Sequence, residues 1–197
     1  MIISLFGPDG VGKSTISRML QNDDWFVFSG TGVSSWPDTT WRDELNAAGI
    51  HEPSYESDDH FIEKIRRSHE LAHKLERQYD RVVIDSDPFH KTLMHAYMNG
   101  IDRFDELYKV AYPAGSDKND VHVLIYLEGN DDDVSKELQR RIHKRGAEHF
   151  DPKSVQDSQR MIRACEIIFE TLVKNQQNVY RLDASDTDAY QKFLGAV

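Results

Sequence analysis

The chain has 197 residues, 39% hydrophobic and 29% charged, with a formal net charge of −10. That length suits one domain with a single core. The acidic balance argues against a broad duplex-DNA or anionic-membrane footprint, and no apolar run approaches the ~20 residues of a membrane span. The single cysteine, Cys165, excludes an internal disulfide; a reducing compartment and a packed core thiol follow. The N-terminus leads straight into a strand and lacks the n-region and h-region of a signal peptide. The expectation is a cytosolic protein, or one made in the cytosol of a host cell.

Ile2-Ile3-Ser4-Leu5-Phe6 reads as a buried strand, followed by a glycine-rich turn and a helix over about 13–21. Trp25-Phe26-Val27-Phe28 reads as a second strand. Turn formers over 29–38 predict a loop, and a short helix is expected over about 39–48. Phe61, Ile65, Ala72, Leu75 and Tyr79 recur at helical spacing and predict a long amphipathic helix over about 57–79. Arg81-Val82-Val83-Ile84-Asp85 is a short strand ending in a carboxylate. Pro88 suits the first turn of the next helix, where Phe89, Leu93, Ala96 and Tyr97 form one stripe and Gly100 ends it.

A short helix is expected over about 102–111 and a loop over 113–120. Val121 to Leu127 is a strong strand. Gly129-Asn130-Asp131-Asp132-Asp133 reads as a cap and acidic first turn, and Val134, Leu138 and Ile142 follow at helical spacing. A further amphipathic helix over about 154–175 turns Met161, Cys165, Ile168, Phe169 and Leu172 inward. Asn178 to Leu182 is the last strand, and about 186–194 the last helix. Strands alternating with helices predict a parallel sheet covered on both faces, with ligands at the carboxyl ends of the strands.

Four patterns carry chemistry. Gly7-Pro8-Asp9-Gly10-Val11-Gly12-Lys13-Ser14, then Thr15, fits G-x-x-x-x-G-K-[ST], the P-loop. Its glycines let successive N–H groups turn toward phosphate oxygens. Lys13 reaches the β- and γ-phosphates, the Ser14 hydroxyl ligates Mg²⁺, and the helix N-terminus sits beneath the anion. Strand, loop and helix follow in the required order. Val82-Val83-Ile84-Asp85 is a hydrophobic run ending in a carboxylate that can hold Mg²⁺ or accept a proton, or merely cap the next helix; Asp87 can share the role. Arg140-Arg141-Ile142-His143-Lys144-Arg145-Gly146 concentrates cations in an acidic protein. That predicts a lid closing over transferred phosphate, a solvated helix face being the alternative. Of Arg66 and Arg67, one can clamp an acceptor phosphate with a forked hydrogen bond.

Together these residues resemble the thymidylate kinase family, within the nucleoside-monophosphate kinases. The loop Gly7 to Thr15 is similar to the family's G-x-[DE]-G-x-G-K-[ST]-T, Arg66-Arg67-Ser68-His69 to its R-x-x-H, Arg141 to Asp151 to its lid, and Leu182-Asp183-Ala184-Ser185 to its late I-D-A-S. The resemblance implies a three-layer α/β/α P-loop NTPase fold across 1–197, with a five-stranded parallel sheet and a helical lid over about 136–153. It implies ATP and Mg²⁺ as cofactors, a nucleotide acceptor and a homodimer.

By the same resemblance Gly7, Asp9, Gly10, Val11, Gly12, Lys13, Ser14 and Thr15 hold the donor phosphates. Asp183, Ala184 and Ser185 pass the donor adenine. Lys13, Asp85, Arg141 and Arg145 are catalytic, and Ser14 and Asp85 hold the metal. Asp9 and Arg66 face the acceptor, with Phe61 or Ile62 near its base; Asp87, two residues beyond Asp85, is a further candidate on the acceptor side. Two departures are plain. Asp85 is followed by Ser86 and not by the family's arginine, and Ser29-Gly30-Thr31-Gly32 lacks the arginine expected after strand two. The pattern suits a divergent kinase, a viral one included, with donor chemistry kept and acceptor pocket rewritten. The alternatives are transfer to a hydroxyl, on a nucleoside or a modified base in DNA, and a nucleotide switch that hydrolyses slowly. The base-reading N-K-x-D of GTPase switches is missing, and the acidic charge disfavours a polymeric nucleic-acid acceptor.

Overall fold

β1 (Ile2–Phe6) is buried along its whole length, as expected of a strand covered on both faces, whose residues need not alternate with polar ones. The computed structural model describes residues 1–29, 66, 70, 72–98, 106, 108–109, 120–146 and 152–196. After β1 come α1 (Lys13–Asn22), β2 (Phe26–Ser29), α2 (72–79), β3 (Val82–Asp85), α3 (Pro88–Met98), β4 (Val121–Tyr126), α4 (Asp131–Arg145), α5 (Val155–Lys174), β5 (Asn178–Asp183) and α6 (Thr187–Leu194). The strands form one parallel sheet in the order β2-β3-β1-β4-β5. This is the three-layer α/β/α arrangement of P-loop proteins, and β1 holds its centre.

Strand parity divides the core. Ile3 and Leu5 face one way with Val83, Val123 and Ile125, all wholly buried, against Ile16 and Leu20 of α1 and Tyr190 and Phe193 of α6. Phe6 and Leu124 face the other way, against Phe89 and Leu93 of α3 and Met161, Cys165 and Ile168 of α5. Ile2, Val82 and Ile84 continue that second face under Ala72 and Leu75 of α2. Each such side chain contributes roughly 1.5–3 kcal/mol through burial. The stripes expected on α4 (Val134, Leu138, Ile142) and on α5 are buried as expected, except that Phe169 is only partly covered and carries the Arg181 guanidinium over its ring at 4.3 Å. Burial pushes the Cys165 thiol up to about 12, so it packs as an inert hydrophobe.

Two expectations change. Trp25 precedes β2 and does not belong to it; its buried ring fills the α1 face of the core, with Arg81 over it at 5.6 Å. Tyr79, expected inward, is 44% exposed and stacks on Phe26 at 4.1 Å, because α2 ends there. The loop over 29–38 (Ser29 excepted), the helix over 39–48, and Phe61, Ile65 and Arg67 fall outside the described residues; of the helix expected over 102–111, Glu106, Tyr108 and Lys109 are described and are helical.

Candidate active site

Because β1 is central, the loop at its carboxyl end opens between the ends of β3 and β4. Gly7 turns out of β1 at φ +149°, and a β-carbon there would lie 2.3 Å from the Ile125 carbonyl oxygen. No larger residue fits without moving β4. Gly12 caps α1 at φ +117° with no side-chain cap. The first N–H groups of α1 have no acceptor within the helix, and its positive end suits an anion. Lys13 Nζ donates to the carbonyls of Gly7 (2.8 Å) and Pro8 (3.1 Å) and to the Asp9 carboxylate (3.3 Å). Ser14 and Thr15 are exposed at the same helix start.

Parallel pairing sets Leu5 opposite Asp85, bringing the end of β3 beside the loop. The buried Asp85 carboxyl lies among the hydroxyls of Ser17, Ser14 and Ser86. Burial raises its pKa, against the opposing pull of Lys13 and those hydroxyls. Ser86 then takes a left-handed conformation, φ +61°, rare for serine, and the chain reverses parity. Asp87 therefore enters the opposite layer. It accepts hydrogen bonds from Ser4 Oγ (2.7 Å) and from the Phe89 N–H (2.8 Å). It is Asp87, and not Asp85, that caps the following helix. The Asp-Pro pair at 87–88 is a signal for this, since proline favours the first helical position just after a capping residue. His90 is buried and stacks on Phe6 at 4.3 Å.

Hydroxyl and carboxylate oxygens are the donors that Mg²⁺ takes. Ser14 and Asp85 are such a pair, and a dication would offset the cost of the buried carboxylate, so the residues fit that ion.

Two further segments reach the loop. Pairing of Tyr126 with Asp183 carries β5 to the same end of the sheet. Ala184 N–H donates to the Tyr126 carbonyl (2.8 Å), and Asp183 Oδ1 accepts from the Ser185 N–H and hydroxyl, both 2.8 Å. A β-carbon on Gly12 would lie 3.7 Å from the Ala184 Cβ. From α4, Leu138 and Ile142 pack on Gly10, and Arg141 Nη1 donates to the Val11 carbonyl at 3.3 Å. Glu137 gathers cations of α4, accepting two bonds from Arg140 and one from Arg141. Those bonds hold its carboxyl at about 2. Arg145 is exposed at the end of α4, and residues 147–151 of the expected lid lie outside the described ones.

On the other side of the loop Asp9 is largely buried. Burial pushes its carboxyl up, but Lys13, Lys91 and Arg145 outweigh that and hold it below the ordinary 3.8. Its N–H donates to Met161 Sδ at 3.2 Å. Asp9 and Lys13 line a recess with Ser86, Asp87, His90 and Lys91. Its free interior is about 20 Å³, room for roughly one water, and it measures about 300 Å³ out to its open mouth. Motif reading gives Lys91 no weight, because it sits between the apolar positions of α3 and belongs to no pattern. Arg66 is exposed in helical backbone and pairs with Glu70. Phe61 lies outside the described residues.

No family model matches this chain, and no curated protein matches it by sequence. Solved structures match over its full length. A deoxyadenosine kinase from M. mycoides with bound dATP matches at TM-score 0.58 and 17% identity, covering 100% of this chain and 98% of that one. The same enzyme with dCMP and dCDP as products matches at TM-score 0.52 and 16% identity, with the same coverage. The YorR protein of Bacillus subtilis, in complex with phosphorylated GDP, matches at TM-score 0.56 and 14% identity, covering 100% and 95%. At such identities the likeness is one of fold: this chain has the P-loop fold found in nucleoside and nucleotide kinases. Among the described residues no helix is long and apolar enough to cross a membrane.

Proposed function

We propose that this protein transfers the γ-phosphoryl group of ATP to a deoxynucleoside monophosphate, in the manner of thymidylate kinases but with a different acceptor pocket. One observation carries the reading: the buried Asp85 carboxyl ends β3 opposite Leu5, beside a glycine loop whose Lys13 Nζ donates to the Gly7 carbonyl, and both Lys13 and the Ser14 hydroxyl pull its pKa down. The kinase structures that share the fold agree with it.

An oxygen of the acceptor phosphate attacks the γ-phosphorus, the bridging bond to the β-phosphate breaks, and ADP leaves. Lys13 exchanges its loop carbonyls for the donor's phosphate oxygens, and the loop N–H groups from Gly7 to Thr15 cradle them. Ser14 and Asp85 would hold Mg²⁺, which would supply charge neutralisation on those phosphates. Arg141 and Arg145 close from a lid over about 136–153. Asp183, Ala184 and Ser185 border the donor adenine. Asp9 addresses the acceptor sugar, Arg66 its phosphate, and Phe61 and Asp87 its surroundings. Positioning and electrostatics dominate, since a phosphate oxygen needs little help from a base. We further propose a single domain working as a homodimer.

The test is an ATP-consumption assay with Mg²⁺ across the common monophosphates and their hydroxymethylated relatives. We expect turnover with at least one, and a fall of about 10²-fold or more in kcat for Lys13→Ala. Near-normal turnover of that variant with every acceptor overturns the assignment.

A second reading, transfer to a hydroxyl, is favoured by the elevated Asp85 carboxyl, since a base works best when its pKa approaches the working pH. Nucleosides and oligonucleotides in the same assay separate the two.

A further inference from the structure

We infer that Lys91 is a second cation of the acceptor side, joining Arg66 in binding the phosphate of the acceptor nucleotide, at the open mouth of the recess beside Asp9 and Lys13. The inference rests on the kinase reading above and assigns a group that discriminates a monophosphate from a nucleoside.

The position of Lys91 is set by the helix start. Asp87 caps α3, and the Lys91 N–H donates to the Asp87 carbonyl at 3.1 Å, so Lys91 lies in the first turn. Phe89 and Leu93, two residues to either side, are wholly buried in the core. Side chains two apart on a helix do not share a face, so Lys91 turns away from that core. It is half-buried and lines the recess together with Gly7, Asp9, Lys13 and Ser86. Its charge reaches the site: after Lys13, it is the strongest influence holding the Asp9 carboxyl ionised against burial.

Among the described residues no carboxylate lies within ion-pair distance of the Lys91 ammonium. Lys13, by contrast, has Asp9 at 3.3 Å. A half-buried cation with no acid on it, facing a recess beside the phosphate loop, is suited to an anion brought by the substrate. It does little for a neutral hydroxyl. The recess adjoins the loop that holds the donor phosphates, so an anion bound there lies on the side from which phosphoryl transfer must come.

Calorimetric titration of deoxynucleoside monophosphates and the matching deoxynucleosides tests this, with the loop filled by a non-hydrolysable ATP analogue and Mg²⁺. Lys91→Met should weaken monophosphate binding by about 10- to 100-fold, the scale of one charged hydrogen bond. Nucleoside and ATP-analogue binding should stay within about twofold, and Lys91→Arg should recover most of the loss. In turnover the loss should fall on the acceptor KM and not on the ATP KM. Monophosphate binding within about twofold of wild type in Lys91→Met overturns the inference. So does an equal loss for nucleosides and the ATP analogue, which marks a structural role, and so does a wild type that binds no monophosphate. If the wild type instead phosphorylates nucleosides, the kinase reading survives while the Lys91 assignment falls. If Lys91→Met loses monophosphate binding but the wild type transfers phosphate to nothing, the assignment survives and the kinase reading falls.

Discussion

The Lys13 ammonium lies 3.3 Å from the Asp9 carboxylate within one loop, and both side chains are largely buried. The loop's own acid and carbonyls thus occupy the lysine that a nucleotide phosphate would use. Asp9 also faces the recess bounded by Lys91, so one carboxylate borders both the glycine loop and that recess.

Replacing that carboxylate separates its two effects. The Asp9 carboxyl is held below its ordinary value, so its contribution to stability is present above about pH 3.8 and fades as pH falls through its lowered folded-state value. Thermal melts of wild type and Asp9→Asn should differ at pH 5–7 and converge below pH 3.8. A gap unchanged at pH 3 contradicts the pairing. Donor binding to the variant should be no weaker, since Lys13 no longer has to leave a carboxylate.

Asp85 runs the other way. Burial raises its pKa, so the folded state prefers the neutral form. The cost is absent below the ordinary 3.8 and grows as pH rises through the raised value. Asp85→Asn should therefore melt higher than wild type at pH 7, with the gap closing under acid, while kcat falls about 10²-fold or more. A variant that is both less stable and fully active would show that the carboxylate is structural.

Gly7→Ala forces a methyl group to 2.3 Å from the Ile125 carbonyl at a φ that alanine avoids. We expect a loss of more than about 1 kcal/mol in denaturant unfolding and loss of ATP binding by calorimetry. Normal affinity would mean that the loop can shift away from β4 at no cost to the cradle.

Asp87→Ala removes a helix cap and leaves the buried Ser4 hydroxyl without its acceptor. The cap is worth about 1 kcal/mol and the orphaned hydroxyl about 1–3 kcal/mol, so unfolding free energy should drop by roughly 2–4 kcal/mol. If kcat/KM collapses while the melting temperature holds, Asp87 acts on the acceptor and not on the fold.

The P-loop was legible because its requirements are local. Glycines, lysine and serine at fixed spacing, a continuous apolar strand before them and a helix after them all lie within twenty residues. The other strands were legible for the same reason, as short apolar runs between turn formers, and the helices as stripes of period 3.6. Asp85 stood out by ending such a run. Asp87 was paired with it on spacing alone, and only the left-handed turn at Ser86 assigns the two carboxylates to opposite layers.

What the chain determined by itself is the set of elements and the phosphate cradle, because period, capping and glycine placement act over a few residues. What only the tertiary structure decided is which distant groups meet there. Arg141 reaches the Val11 carbonyl across 130 positions and Met161 reaches Asp9 across 152. Lys91 enters the recess through the placement of α3, with no motif to announce it. Such meetings follow from strand order, register and helix packing, and those are settled by burial of the whole core at once.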